Sequence, residues 1–192
     1  MSDDDTLALG RLAGRAARAY ELGRLRSALV RAFGAMALTG LAFAACSFTL
    51  AAAACIALLG LGVTACLWRG GAWARGAKLG FAAGLMPCFV PAVLSLDACH
   101  LPGLSLSTIC LLTGVAAGLV VGWRGVVGGR DAVGGREALR PASLPFWLAA
   151  GGIVLTVGAI GCMSAGLAGL GGLALGLAAG VAAPVVAVRF AD

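Results

Sequence analysis

Long apolar stretches, rather than the short periodic runs of a soluble fold, dominate the pattern of this chain. The 37 residues from Ala32 to Trp68 carry no charge. As one helix they would be roughly 55 Å long, whereas the hydrocarbon core of a bilayer is about 30 Å thick. This stretch must therefore turn back on itself, and the more polar residues 46–49 mark the turn. Continued along the chain, the pattern predicts six transmembrane helices, near 28–46, 50–68, 78–96, 104–123, 144–163 and 166–188.

Composition supports the same class of protein. The 192 residues are 61% hydrophobic and 11% charged, and the mean hydropathy is +1.02. An average soluble domain is about a quarter charged. We therefore expect an all-α, polytopic membrane bundle over 28–188, with no separate soluble domain. The acidic start, Asp3 to Asp5, is unlike a cleaved secretory signal, so the first span is expected to be the insertion signal.

The basic residues predict the orientation of the spans. In the six-span arrangement all 14 Lys and Arg residues fall on one side. Basic residues that flank spans are retained in the cytoplasm, so both termini are expected there. The Gly- and Arg-containing segment 124–143 is then a flexible cytoplasmic loop. The four tryptophans, including Trp68, fall near the same interface.

Glycines at every fourth position indicate how the helices pack. Small residues at this spacing form a flat face on which two helix backbones approach closely. We interpret these positions as helix-packing sites rather than as the lining of a pore. They are Gly76, Gly80 and Gly84; Gly114, Gly118 and Gly122; and Gly172, Gly176 and Gly180.

Two places could carry metal chemistry. Cys88 lies between Pro87 and Pro91, which remove backbone donors and kink the third span, so neighbouring helices, water or an ion must satisfy the freed carbonyls. Asp97, Cys99 and His100 lie together in the predicted exterior turn. Neither ligand set is complete. The sequence therefore predicts no metal site and no cofactor, with Cys88, Asp97, Cys99 and His100 as the nearest candidates; a disulfide between Cys99 and Cys110 is left open.

No predicted span carries a charged residue at mid-depth. Proton relays, ion-coupled transporters and intramembrane hydrolases use such groups, which are costly in a membrane and retained for function. This absence weighs against transport and against catalysis, so we expect a protein that is not an enzyme.

The N-terminal arm, residues 1–27, is the expected recognition element. It reads as a helix with Arg11, Arg15, Arg18 and Leu22 along one face and Tyr20 towards the other. These five residues are the predicted partner-binding set. The partner is either the anionic inner leaflet of the bilayer or a cytoplasmic protein; direct nucleic-acid binding is not expected.

An arm of about 30 residues followed by six short spans resembles, in organisation, the bacterial membrane-embedded anti-sigma factors. No diagnostic motif accompanies this layout. The resemblance implies an inner-membrane regulator whose cytoplasmic arm holds a protein partner while the membrane body acts as the sensor.

Two alternatives remain open. One is a small transporter or channel with three-plus-three inverted repeats, because Leu38-Thr39-Gly40 recurs as Leu112-Thr113-Gly114 three helices later. The other is an accessory subunit of a larger membrane complex.

Overall fold

The chain is all-helical in the computed structural model, which describes residues 3–44, 50–95, 105–127 and 143–191. These ranges form α1 (Asp3–Ala44), α2 (Leu50–Arg69), α3 (Gly71–Ser95), α4 (Leu106–Val127), α5 (Leu144–Cys162) and α6 (Gly166–Ala191). A single 3₁₀ turn, Met163–Ala165, joins α5 to α6. The described ranges therefore form a bundle of six α-helices.

Helix α1 differs from the separate arm and first span that the sequence indicated. It is one helix of 42 residues, about 60 Å long at 1.5 Å per residue. No proline and no left-handed glycine interrupts it, so the change from charged to apolar residues leaves the backbone continuous. Its first buried side chain, among those described, is Ala28, and Ala32, Ala35 and Thr39 continue the buried stripe.

Glycine conformations shape two of the connections. Gly70 and Gly71, between α2 and α3, have φ values of +70° and +54°. The left-handed region is strained for other residues, so these two glycines allow α3 to begin directly after α2. Gly166, with φ +63°, similarly ends the 3₁₀ turn before α6.

Two helix pairs are in closest contact, α4 with α6 and α3 with α5, while α1 packs mainly on α2. The core consists largely of small side chains, with Val154, Val157 and Leu173 among the larger ones. Large apolar side chains instead cover the outside: Leu61 and Leu175 are 69% and 68% exposed. A soluble bundle rarely exposes so continuous an apolar surface.

Within the described residues, three helical segments are long and apolar enough to cross a membrane: Leu106–Val126, Leu144–Cys162 and Gly166–Val188. The described part of α2 adds a shorter apolar helix, Ala53–Arg69. The chain is thus a helical, membrane-associated protein.

Candidate functional site

From Ala13 to Gly23, α1 is largely uncovered by the rest of the bundle. Every side chain described from Ala13 to Gly23 is exposed. Arg15, Arg18 and Leu22 follow one face, and Leu22 is 66% exposed. Tyr20, 67% exposed, lies on a different face. Arg11 belongs to α1, but its side chain lies outside the described part of the structure. This part of α1 therefore presents basic and apolar side chains next to each other.

The arm is joined to the bundle by two hydrogen bonds at the end of α2. The indole Nε1 of Trp68 donates to Oε2 of Glu21 over 3.1 Å, and Arg24 donates through Nη2 to the backbone carbonyl of Trp68. A side chain on Gly70 would meet this guanidinium, because its Cβ would lie 2.8 Å from Nη2. We call Glu21, Arg24, Trp68 and Gly70 the arm junction.

The sequence indicates that Trp68 lies near the interface, but no motif in it predicts the arm junction. Glu21 is the acidic residue nearest the predicted span start, and its spacing from Arg24 places both on one helix face. This spacing indicates only that Glu21 and Arg24 lie near each other. The pairing with Trp68, 47 and 44 positions away, depends on how α1 docks on α2.

An additional basic contact lies just beyond the junction. The Arg69 guanidinium carbon is 5.4 Å from the ring centroid of Trp73, within the range of a cation–π interaction. The α2–α3 turn therefore carries both an arginine-aromatic pair and the anchor of the arm.

The predicted packing glycines lie at the two closest helix interfaces. Gly76, Gly80 and Gly84 of α3 face α5. Gly118 approaches Gly180, and a Cβ on Gly118 would lie 2.5 Å from the Leu177 carbonyl oxygen. The remaining four glycines, Gly114, Gly122, Gly172 and Gly176, also lie at the α4–α6 interface. Backbone meets backbone at these positions, which leaves no space for a pore between the paired helices.

The part of α3 that contains Pro87 and Pro91 is packed closely against α5. Pro91 lacks the N–H that would bond the Pro87 carbonyl, four residues earlier. The Cys162 thiol donates to that carbonyl at 3.9 Å. Cys88 is 2% exposed, and a Cβ on Gly161 would lie 2.5 Å from its Cα. The neighbouring helix thus supplies a partner for the freed carbonyl.

The metal candidates are not assembled within the part of the chain that the structure describes. Asp97, Cys99 and His100 lie outside it. No group of three or more His, Cys, Asp or Glu side chains among the described residues is arranged to hold a metal ion. Cys110 is fully buried and shares a small core cluster with Cys162 and Leu173.

Threonine hydroxyls inside the apolar helices bond to their own backbone. Thr39 donates to the Ala35 carbonyl at 2.8 Å, and Thr64 donates to the Gly60 carbonyl at 2.7 Å. Thr113 and Thr156 repeat the pattern. These i to i−4 bonds leave no polar row along the bundle axis in the described helices.

Comparison with known proteins yields no match: no family model, no curated protein and no solved structure is significantly similar to this chain.

Proposed function

We propose that this chain is a regulatory, non-enzymatic protein of the bacterial inner membrane that holds a cytoplasmic protein through its N-terminal arm, as membrane-embedded anti-sigma factors do. In this proposal six helices span the bilayer and both termini are cytoplasmic. The one-sided placement of Lys and Arg supports the orientation, and the exposed apolar surface of the bundle supports its insertion.

The observation that carries the proposal is the uncovered arm. From Ala13 to Gly23 the helix is exposed on all sides, although Tyr20 and Leu22 are costly to leave in water. A helix that presents basic and apolar side chains, and that contacts the bundle in this stretch through Glu21, is suited to a partner that supplies acidic groups and an apolar surface.

The arm junction supplies a route from the membrane body to the arm. Glu21 and Arg24 contact the last residues of α2, and α2 packs on α3 and α5 within the bundle. A rearrangement that shifts the end of α2 would change these two bonds and with them the direction of the arm. The partner would then be held or released according to the state of the bundle.

Co-purification with the full-length protein tests the proposal. The variant R15E/R18E reverses the charge of the arm face but keeps the arm junction. R75E/K78E is its charge-matched control, because these exposed residues of α3 undergo the same charge change outside the arm. Both variants must first keep the wild-type orientation in the membrane, because Lys and Arg beside spans determine it. We expect wild type and R75E/K78E to retain one specific cytoplasmic protein and R15E/R18E to lose it.

Deletion of residues 2–19 is the complementary variant, since it removes most of the arm and leaves Glu21 and Arg24 in place. The protein should remain in the membrane at normal abundance and lose its partner. Binding of the arm to anionic liposomes alone, with no protein retained by the wild type, would refute the regulatory proposal.

The transporter alternative gains no specific support. In a three-plus-three inverted repeat, α1 would pack on α3 as α4 packs on α6. Among the described residues the α4–α6 contact is extensive and the α1–α3 contact is slight.

A further inference from the structure

A groove between α1 and α2 has the composition of an anion site. It encloses about 420 Å³, within the range of roughly 300–1,000 Å³ typical of small-molecule sites. Tyr20, Arg24, Ser27 and Arg31 line it from α1 and Leu67 from α2. We call it the α1–α2 groove.

The polar residues of the groove share one face of α1, since Arg24, Ser27 and Arg31 are spaced at i, i+3 and i+7. Gly23 and Ala28, which also line the groove, are too small to fill the space. Arg31 follows Arg24 by seven positions, which is a rise of about 10 Å along the helix. Two long side chains that extend towards each other can span this distance. Their guanidiniums can therefore converge on one group from above and below.

Arg31 has no acidic residue within one helical turn of it on α1, whereas Glu21 lies one turn before Arg24 and bonds the Trp68 indole. Arg24 donates to the Trp68 carbonyl, which uses only part of its donor capacity. Two positive charges in one groove repel each other, so an anion bound between them would be stabilised by both.

In the proposed orientation, the groove also lies at the depth of lipid headgroups. Arg24 contacts Trp68 near the end of α2, while the Met36 sulfur lies against Gly60. The two helices are thus antiparallel, and Arg31 lies between these levels, beside the last turns of α2. In the proposed orientation this is the cytoplasmic interface, where basic pockets between helices bind anionic headgroups.

We propose that the α1–α2 groove binds the phosphate of one anionic phospholipid of the inner leaflet, between Arg24 and Arg31, with the Ser27 hydroxyl as a neutral donor. The acyl chains would run along the apolar surface below, on the same face of α1, where Leu38 and Leu41 are 42% and 74% exposed. This inference rests on the proposed membrane placement and is independent of the partner of the arm.

Lipid retention by the purified full-length protein tests this site. Native mass spectrometry from detergent would compare phosphatidylglycerol with phosphatidylcholine, which carry the same phosphate but differ in net charge. We expect wild type to retain one phosphatidylglycerol in preference to phosphatidylcholine. R31Q should lower this retention about five- to tenfold, whereas R18Q, the same charge change on the exposed arm, should change it less than about twofold.

A second variant reduces the free volume of the groove without changing its charge. S27L fills the space between the arginines and should lower retention as R31Q does, while A37L adds the same apolar bulk at an exposed position of α1 and should not. Equal losses in R31Q and R18Q, or equal retention of the two lipids by wild type, would overturn the proposal. Displacement of the lipid by millimolar inorganic phosphate would do so too, because the ligand would then be a soluble phosphate.

These outcomes are separable from those of the regulatory proposal. Loss of the protein partner in R15E/R18E, with lipid retention unchanged, would support both. A wild-type protein that retains the lipid and captures no protein would remove the regulatory proposal alone.

Discussion

The α4–α6 interface allows a sharp test of how this bundle is held together. Gly180 and Gly171 are both in α6, so replacing either with Ala changes the intrinsic helix propensity by the same amount. Their surroundings differ: a Cβ on Gly171 would have no atom within 4 Å, whereas a Cβ on Gly180 would lie 2.8 Å from the Leu119 nitrogen and 2.9 Å from the Gly118 Cα. It would also press on the Val115 carbonyl oxygen.

The expected cost follows from these distances. Ordinary contact begins at 3.4 Å, so α4 must retreat from α6 by at least about 0.5 Å. Because the obstructing atoms are backbone, no rotamer change relieves them. A gap of about 0.5–1 Å forfeits a quarter to a half of the dispersion energy of each affected contact, and overpacking typically costs about 1–3 kcal/mol. We expect G180A to be less stable than G171A by that amount.

Unfolding in mixed micelles of mild detergent and dodecyl sulfate measures the difference. Both variants should insert in the membrane, since neither changes a charge. G171A should be as stable as wild type or slightly more so. Equal stability of G180A and G171A would show that the helices are not in backbone contact at this position, and the reasoning from the glycine spacing would fail with it.

Three other substitutions test separate features. T39V should change the free energy of unfolding by less than about 1 kcal/mol, because the lost hydroxyl bonds only to carbonyls of its own helix; a loss of several kcal/mol in the same assay would indicate an interhelical role. G71A should cost about 1–2 kcal/mol through its φ of +54° alone, since its Cβ would have no atom within 4 Å; G34A, in open space within α1, is the control and should not destabilise. In a background whose native cysteines are replaced by serine, a cysteine introduced at Gly103 should react with a membrane-impermeant maleimide added outside intact cells, and one at Gly134 should not; the reverse pattern would invert the proposed orientation.

The sequence by itself determined that the chain is helical, where most helices lie and that the bundle is apolar on its outer surface. The span predicted near 50–68 lies on α2 (Leu50–Arg69), and those near 144–163 and 166–188 lie on α5 and α6. The ends of these helices could be predicted because charges, glycines and prolines interrupt the apolar runs, and the thickness of the bilayer sets the length of each run. The continuity of α1 could not be predicted in this way. A change from polar to apolar residues does not break a helix, so it gives no sign of whether the arm and the first span are one helix or two.

Only the tertiary structure decided which helices pair and where the arm is anchored. Glycines at every fourth position occur on α3, α4 and α6. Nevertheless, α3 packs on α5, against Ala149 and Ala150. A face of small residues accepts any helix that presents a smooth surface, and lipid adds no hydrophobic preference among partners. The contacts of Trp68 with Glu21 and Arg24 likewise arise when α1 docks on α2. Such long-range pairings depend on the combined packing of all the helices, which no local pattern in the sequence encodes.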